Sequence, residues 1–167
     1  MGEMRRLRQQ LAEKEVLAVL ERGTNGILGV IGEDGFPYTV PLSYVWSQGV
    51  IYFHCAAEGA KLDAIRACDR VSFTVVDLDR IVPEEYTTYY RSVIVTGRAQ
   101  IVEEEEERRN AFLALAGKYC PESSRESREA VIERSGARAR IVKVTPEKMT
   151  GKEAIELVRE REKADES

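Results

Sequence analysis

The sequence predicts a mainly β protein: a single small barrel of antiparallel strands with helices set around it. Three observations carry that expectation. Apolar-alternating segments follow one another through tight turns, among them Gly32-Glu33-Asp34-Gly35 and Ser47-Gln48-Gly49. No strand–helix–strand repeat is apparent, which argues against a doubly wound nucleotide-binding sheet. A barrel closes the sheet edges that an antiparallel β domain otherwise leaves open.

The elements follow in order. Leu7, Leu11, Val16, Leu17 and Leu20 recur at near-helical spacing, so a helix is expected from about Leu7 to Glu21, stopped by Gly23. Arg5, Arg6 and Arg8 then lie on its solvated face. Strands are expected over Gly26–Ile31, Phe36–Trp46 and Val50–His54, joined as a meander. A helix is expected from Lys61 to Cys68, then a strand from Arg70 to Val76. Polar Asp77–Glu85, with Pro83, reads as a loop. Tyr86–Val102 is long and β-branched, and Gly97 within it marks a bulge. Glu103–Glu107 put five acids in front of an apolar run, which suits the positive end of a helix better than a metal ion. A helix near Ser127–Arg134, a strand at Ala139–Val144 and a charged helix over Lys152–Arg161 complete the chain.

Composition narrows the function. With 167 residues and a net charge of −4, one domain is expected and a sequence-independent grip on nucleic acid is not. No apolar run has the length of a membrane span, and a cytoplasmic location is expected. Cys55, Cys68 and Cys120 lack CxxC spacing, and His54 is the only histidine, so a zinc site lacks ligands. Reduced, packing cysteines are expected, with Cys55, next to His54, the one thiol near a candidate site.

The chemistry concentrates in Ile51–Arg66. A strand ends at His54, a turn with Gly59 and Lys61 follows, and an amphipathic helix begins. A helix N-terminus offers unpaired N–H groups and the positive end of the dipole, and Lys61 adds a full charge. The unit is a plausible seat for a phosphorylated ligand, although Gly and Lys also populate ordinary strand-to-helix turns. Pro37 and Pro41 lack N–H donors, so their strand is an edge, a bulge or the wall of a ligand site.

Five segments in this order resemble a known family: Gly35–Leu42, Ile51–Ala56, Gly59-Ala60-Lys61, Val71–Val75 and Tyr90–Gly97. They are similar to the FMN-binding split β-barrels, within the pyridoxamine 5'-phosphate oxidase-like branch that includes nitroimidazole reductases. The resemblance implies a six-stranded antiparallel split β-barrel, with its core at about 23–145, and a homodimer with FMN at the subunit interface. It implies that the backbone of Pro37, Tyr38, Thr39, Val40, Pro41 and Leu42 lines the flavin ring. His54, Cys55 and Ala56 would border the ring and ribityl chain, and Gly59 and Lys61 would hold the phosphate. Arg91, Ser92 and Val93 would approach from the long strand, across the dimer interface.

Two departures bear on activity. The family's oxidases carry an Arg-Lys pair at the phosphate turn, whereas Ala60 precedes Lys61 here, so one guanidinium fork is missing. Their C-terminal substrate motif has no counterpart in Arg140–Pro146. The expected function is therefore FMN-dependent reduction of small electron-poor compounds, with His54 as proton donor, since histidine changes charge near neutral pH. Tyr38, Trp46 and Tyr52 are candidate stacking walls. Two alternatives are a flavin- or haem-binding module with His54 as axial ligand, and a deazaflavin-dependent reductase. Val71, Phe73, Val75, Val93 and Val95 are expected to face the core.

Overall fold

A computed structural model describes residues 6–165 and shows a seven-stranded antiparallel sheet with five α-helices. The strands are β1 (Asn25–Ile31), β2 (Pro37–Ser43), β3 (Val45–Ser47), β4 (Val50–Ala56), β5 (Arg70–Val82), β6 (Thr87–Ile101) and β7 (Ala139–Glu153). The helices are α1 (Glu13–Arg22), α2 (Ala60–Ala67), α3 (Glu105–Tyr119), α4 (Arg125–Ser135) and α5 (Ile155–Asp165). The strand order is β2-β1-β5-β6-β7-β4-β3. The two ends of that order, β2 and β3, are consecutive in the chain with only Tyr44 between them. A single covalent step thus carries the chain from one edge to the other, which is how the barrel is split.

Tyr44 explains why the expected Phe36–Trp46 strand becomes two, and why there are seven strands where six were expected. Its side chain is fully buried and stacks edge-on against Phe73, with ring centroids 5.1 Å apart. Its hydroxyl donates to the carbonyl of Leu20 at 2.8 Å, and its N–H donates to the Tyr119 hydroxyl at 2.9 Å. The residue's polar groups are thereby taken by α1 and α3, not by a sheet ladder. Tyr44→Phe should lower stability by about 1–2 kcal/mol in denaturant titrations, because the Leu20 carbonyl loses its buried donor.

The core prediction holds in full: Val71, Phe73, Val75, Val93 and Val95 are all buried. They pack inside the barrel with Leu28, Phe53, Val142 and Val144, and α1 closes the cluster with Val16, Val19 and Leu20. Gly151 lets α1 and the segment before it approach, since a Cβ there would lie 2.8 Å from Val16 and 2.7 Å from Leu11. A smaller cluster of Val45, Tyr52, Val102, Ala111, Leu115 and Ile141 lies under α3.

The expected bulge at Gly97 is present, as the β6–β7 register shifts between Thr96 and Gly97. A Cβ at Gly97 would sit 2.1 Å from the Thr145 carbonyl oxygen, so only glycine fits the kink. The acid block does start a helix: the Glu104 side chain accepts from the N–H groups of Glu106 and Glu107. Glu107 in turn accepts from Tyr52 at 2.7 Å and Lys143 at 2.8 Å.

Four boundaries differ from expectation. Residues Leu7–Gln9 form a 3-10 turn and α1 starts at Glu13, because the intervening segment lies on β7: the Leu11 N–H donates to the Gly151 carbonyl at 3.0 Å. Arg6 and Arg8 are exposed, while Arg5 lies outside the described residues. Asp77–Val82 is strand and not loop, pairing with Thr87–Arg91 after a shift between Val76 and Leu78. The last strand runs on to Glu153, past Pro146 opposite the Gly97 bulge, so the C-terminal helix starts at Ile155. No helix among the described residues is long and apolar enough to cross a membrane.

An ion-pair network ties the termini to the barrel. Arg22 grips Asp77 through two 2.6 Å bonds, Arg91 bridges Asp77 and Glu153, and Arg161 bridges Glu15 and the fully buried Glu153. Burial would push the Asp77 carboxyl up, but the hydrogen bonds and charge of Arg22, with those of Arg91, outweigh it and hold it below the usual range. A depressed folded-state pKa stabilises the fold above the unfolded value near ~4, and the gain is lost as pH falls through the folded value. Thermal melts below pH ~4 should therefore decline less steeply in Asp77→Asn than in the wild type.

Candidate functional site

The candidate site lies at the end of β4, which leads into α2 and has the last residue of β2, Ser43, beside His54. Strand alternation sets the directions: Ile51, Phe53 and Cys55 point into the core and His54 and Ala56 point outward. His54 is exposed, and its ring lies 6.5 Å from that of Phe112 on α3, tilted by 43°. Cys55 is buried and unbridged, as expected of a packing cysteine. Burial pushes the thiol up, against the pull of the positive charges of Lys61, Arg140 and Arg66.

Of those three cations, Lys61 lies in the first turn of α2, Arg66 in its last turn and Arg140 on β7. Gly59, at φ +137°, caps the helix in a conformation open to glycine, and a Cβ there would meet nothing within 4 Å. Its carbonyl accepts from the Leu62 N–H at 2.8 Å. Arg66 is held by Asp63 at 2.9 Å. Lys61 and Arg140 show no ion pair among the described residues, which leaves two charges for an incoming anion. Arg140 was missed as a site residue. It comes from β7, opposite Cys55 in the ladder, some 80 positions away in sequence.

Strand β2 pairs with β1 alone among the described residues, so one edge is open. Pro37, Tyr38, Thr39 and Pro41 are exposed, while Val40 and Leu42 are half-buried against the core. An edge strand places proline where an N–H would face away from its neighbour. Thr39 shares that parity, so its N–H and the carbonyls of Pro37 and Pro41 face the open edge. Donor and acceptors spaced along a strand suit the edge of a planar, polar ring system.

Within this chain the long-strand side chains are engaged away from α2. The Arg91 guanidinium is taken by Asp77 and Glu153, and Val93 is fully buried in the core. Neither side chain joins Lys61 within one protomer, because β6 turns them to the ion network and the interior. Ser92 is half-buried beside them. Of the candidate stacking walls, Tyr52 is buried under α3 with its hydroxyl on Glu107, and Trp46 packs against the core. Tyr38 alone presents its ring to solvent.

The donor set suits a flavin: a lysine in the first turn of a helix, an open strand edge with donor and acceptors, and an exposed imidazole. Comparison with known proteins bears on the same point. No curated protein sequence matches the chain. A family model described as pyridoxamine 5'-phosphate oxidase matches residues 12–153. Among solved structures, the chain is similar to a candidate 5-nitroimidazole antibiotic resistance protein from Bacteroides thetaiotaomicron. Identity is 22%, coverage 86% of this chain and 85% of that one, and the TM-score 0.73. It is also similar to an FAD-binding protein from Mesorhizobium loti, at 24% identity, 87% and 97% coverage and a TM-score of 0.65. A third, the FAD and haem binding protein from Mycobacterium smegmatis, gives 16% identity, 88% and 73% coverage and a TM-score of 0.69. At these identities the structures establish the shared split-barrel fold. With the model spanning most of the chain, this protein belongs to the pyridoxamine 5'-phosphate oxidase family of flavin-binding split barrels.

Proposed function

We propose that this protein binds FMN and works as an oxidoreductase on small electron-poor compounds, as a homodimer in the reducing cytoplasm. The observation that carries the reading is that Lys61, in the first turn of α2 behind Gly59, and Arg140 of β7 both direct their charge at Cys55, the neighbour of His54. A bound flavin supplies two-electron redox chemistry, and the protein supplies position, charge and protons. Lys61 and Arg140 hold the phosphate, and the β2 edge orients the ring. His54, exposed at the strand end, gives a proton to the reduced product.

The dimer is supported by the outer face of β1, β5 and β6, where Ile27, Val76 and Ile94 are exposed. With Arg91 engaged inside its own protomer, Ser92 is the long-strand residue left to meet a ligand from across that face.

Absorbance of the purified protein, followed by FMN titration, tests the cofactor. A Soret band would point instead to haem at His54 and would overturn the FMN reading. His54→Gln should bind FMN as the wild type does, yet turn over roughly a hundredfold more slowly in nitroaromatic reduction assays. Unchanged turnover would remove His54 from the chemistry.

A further inference from the structure

A second cavity, of about 620 Å³, opens beside His54 between α3 and α4. Its walls are mostly apolar: Phe112, Leu115 and Ala116 from α3, and Val131 and Ile132 from α4. Its volume lies within the range of pockets that enclose a small organic ligand. No aspartate or glutamate lines it, and Arg128 is the one permanently charged residue in its wall.

Arg128 is built into that wall and left short of partners. Its Nη2 donates to the carbonyls of Cys120 and Pro121, at 2.9 and 2.8 Å, at the end of α3. Its Nε is buried and has no acceptor. Gly117 makes room for it, since a Cβ there would lie 3.4 Å from Nη1. The nearby Glu129 is occupied by Arg109 and Arg125. A half-buried guanidinium with no counter-ion among the described residues is costly, and an incoming carboxylate at its terminal nitrogens would relieve that. The rings of Phe112 and His54 sit at another wall, where they favour a planar apolar group.

We propose that this cavity binds ring-bearing apolar carboxylates, with the ring among the α3 and α4 side chains and the carboxylate on Arg128. That such a molecule is the reductase substrate rests on the flavin reading above. That it binds does not.

The test is calorimetric titration of the full chain with phenylhexanoate and with its uncharged analogue phenylhexanol, each protein also being titrated with FMN. Wild type should bind the acid at least ~10-fold more tightly than the alcohol, the worth of one charge-assisted contact. Arg128→Gln should erase that preference and leave the alcohol unchanged. Because Arg128 also caps the end of α3, a second variant guards against misfolding: Val131→Trp, at a half-exposed position, should fill the cavity and abolish binding of both probes. Equal affinity for acid and alcohol, or full binding by Val131→Trp, would overturn the proposal. Normal FMN binding beside absent carboxylate binding would sink the pocket alone. Carboxylate binding without FMN binding would sink the flavin reading alone.

Discussion

Lys61→Ala should weaken FMN binding by roughly 10- to 100-fold, as expected for loss of one charge-assisted contact of about 1.5–3 kcal/mol. The side chain sits in the first turn of α2, behind a glycine at φ +137°. Lys61 makes no ion pair among the described residues, so its removal leaves no buried carboxylate unpaired and the fold should be unaffected. Fluorescence quenching of FMN by wild type and variant reads the difference, with thermal melts as the control. Arg140→Gln should give a loss of similar size, as expected of the second proposed phosphate partner. If the Lys61 variant bound FMN like the wild type, the phosphate would have to lie elsewhere.

Phe73→Ala should cost about 3–5 kcal/mol of stability, the usual range for a large aromatic removed from a fully buried site. Phe73 is more than filler. Its ring occupies the space over Gly26, where a Cβ would come within 2.2 Å, and it supports the Tyr44 ring at 5.1 Å. Removing it leaves β1 facing a void and loosens the residue at which the chain passes from β2 to β3. A urea titration reads the loss directly, and a cost below ~1 kcal/mol would mean the site collapses almost completely.

How much was legible in advance follows from which interactions are local. The β1–β2 hairpin, the Gly97 bulge and the start of α3 were readable because alternation, glycine and a carboxylate run act within a few residues, whereas the expected three-stranded meander breaks at Tyr44 into two hairpins at opposite ends of the sheet. The β5–β6 hairpin beyond Val76 was not. Asp77, Asp79 and Arg80 look like loop, but they lie on a ribbon whose polar side chains are met by distant partners such as Arg22. The N-terminal pattern misled for a related reason. Leu11 serves the core from an extended segment laid on β7, so its apolar spacing coincided with a helix without requiring one.

The site shows the same division. His54, Gly59 and Lys61 belong to one strand–turn–helix unit and were visible together. Cys55 could not share a face with His54, because adjacent strand residues point oppositely, and Val93 was claimed by the core for the same reason. Arg140, Phe112 and Arg128 reach the region from other elements, and only the folded topology brings them there.

The central claim is that the α2 entrance holds the phosphate of a flavin mononucleotide. Its most direct test is titration of flavin-free protein with FMN and, in parallel, with riboflavin, which carries the same ring and no phosphate. The account predicts FMN tighter by at least ~100-fold, two charge-assisted contacts' worth, with the advantage shrinking in Lys61→Ala. Equal affinity for the two flavins, or binding of neither, would contradict it.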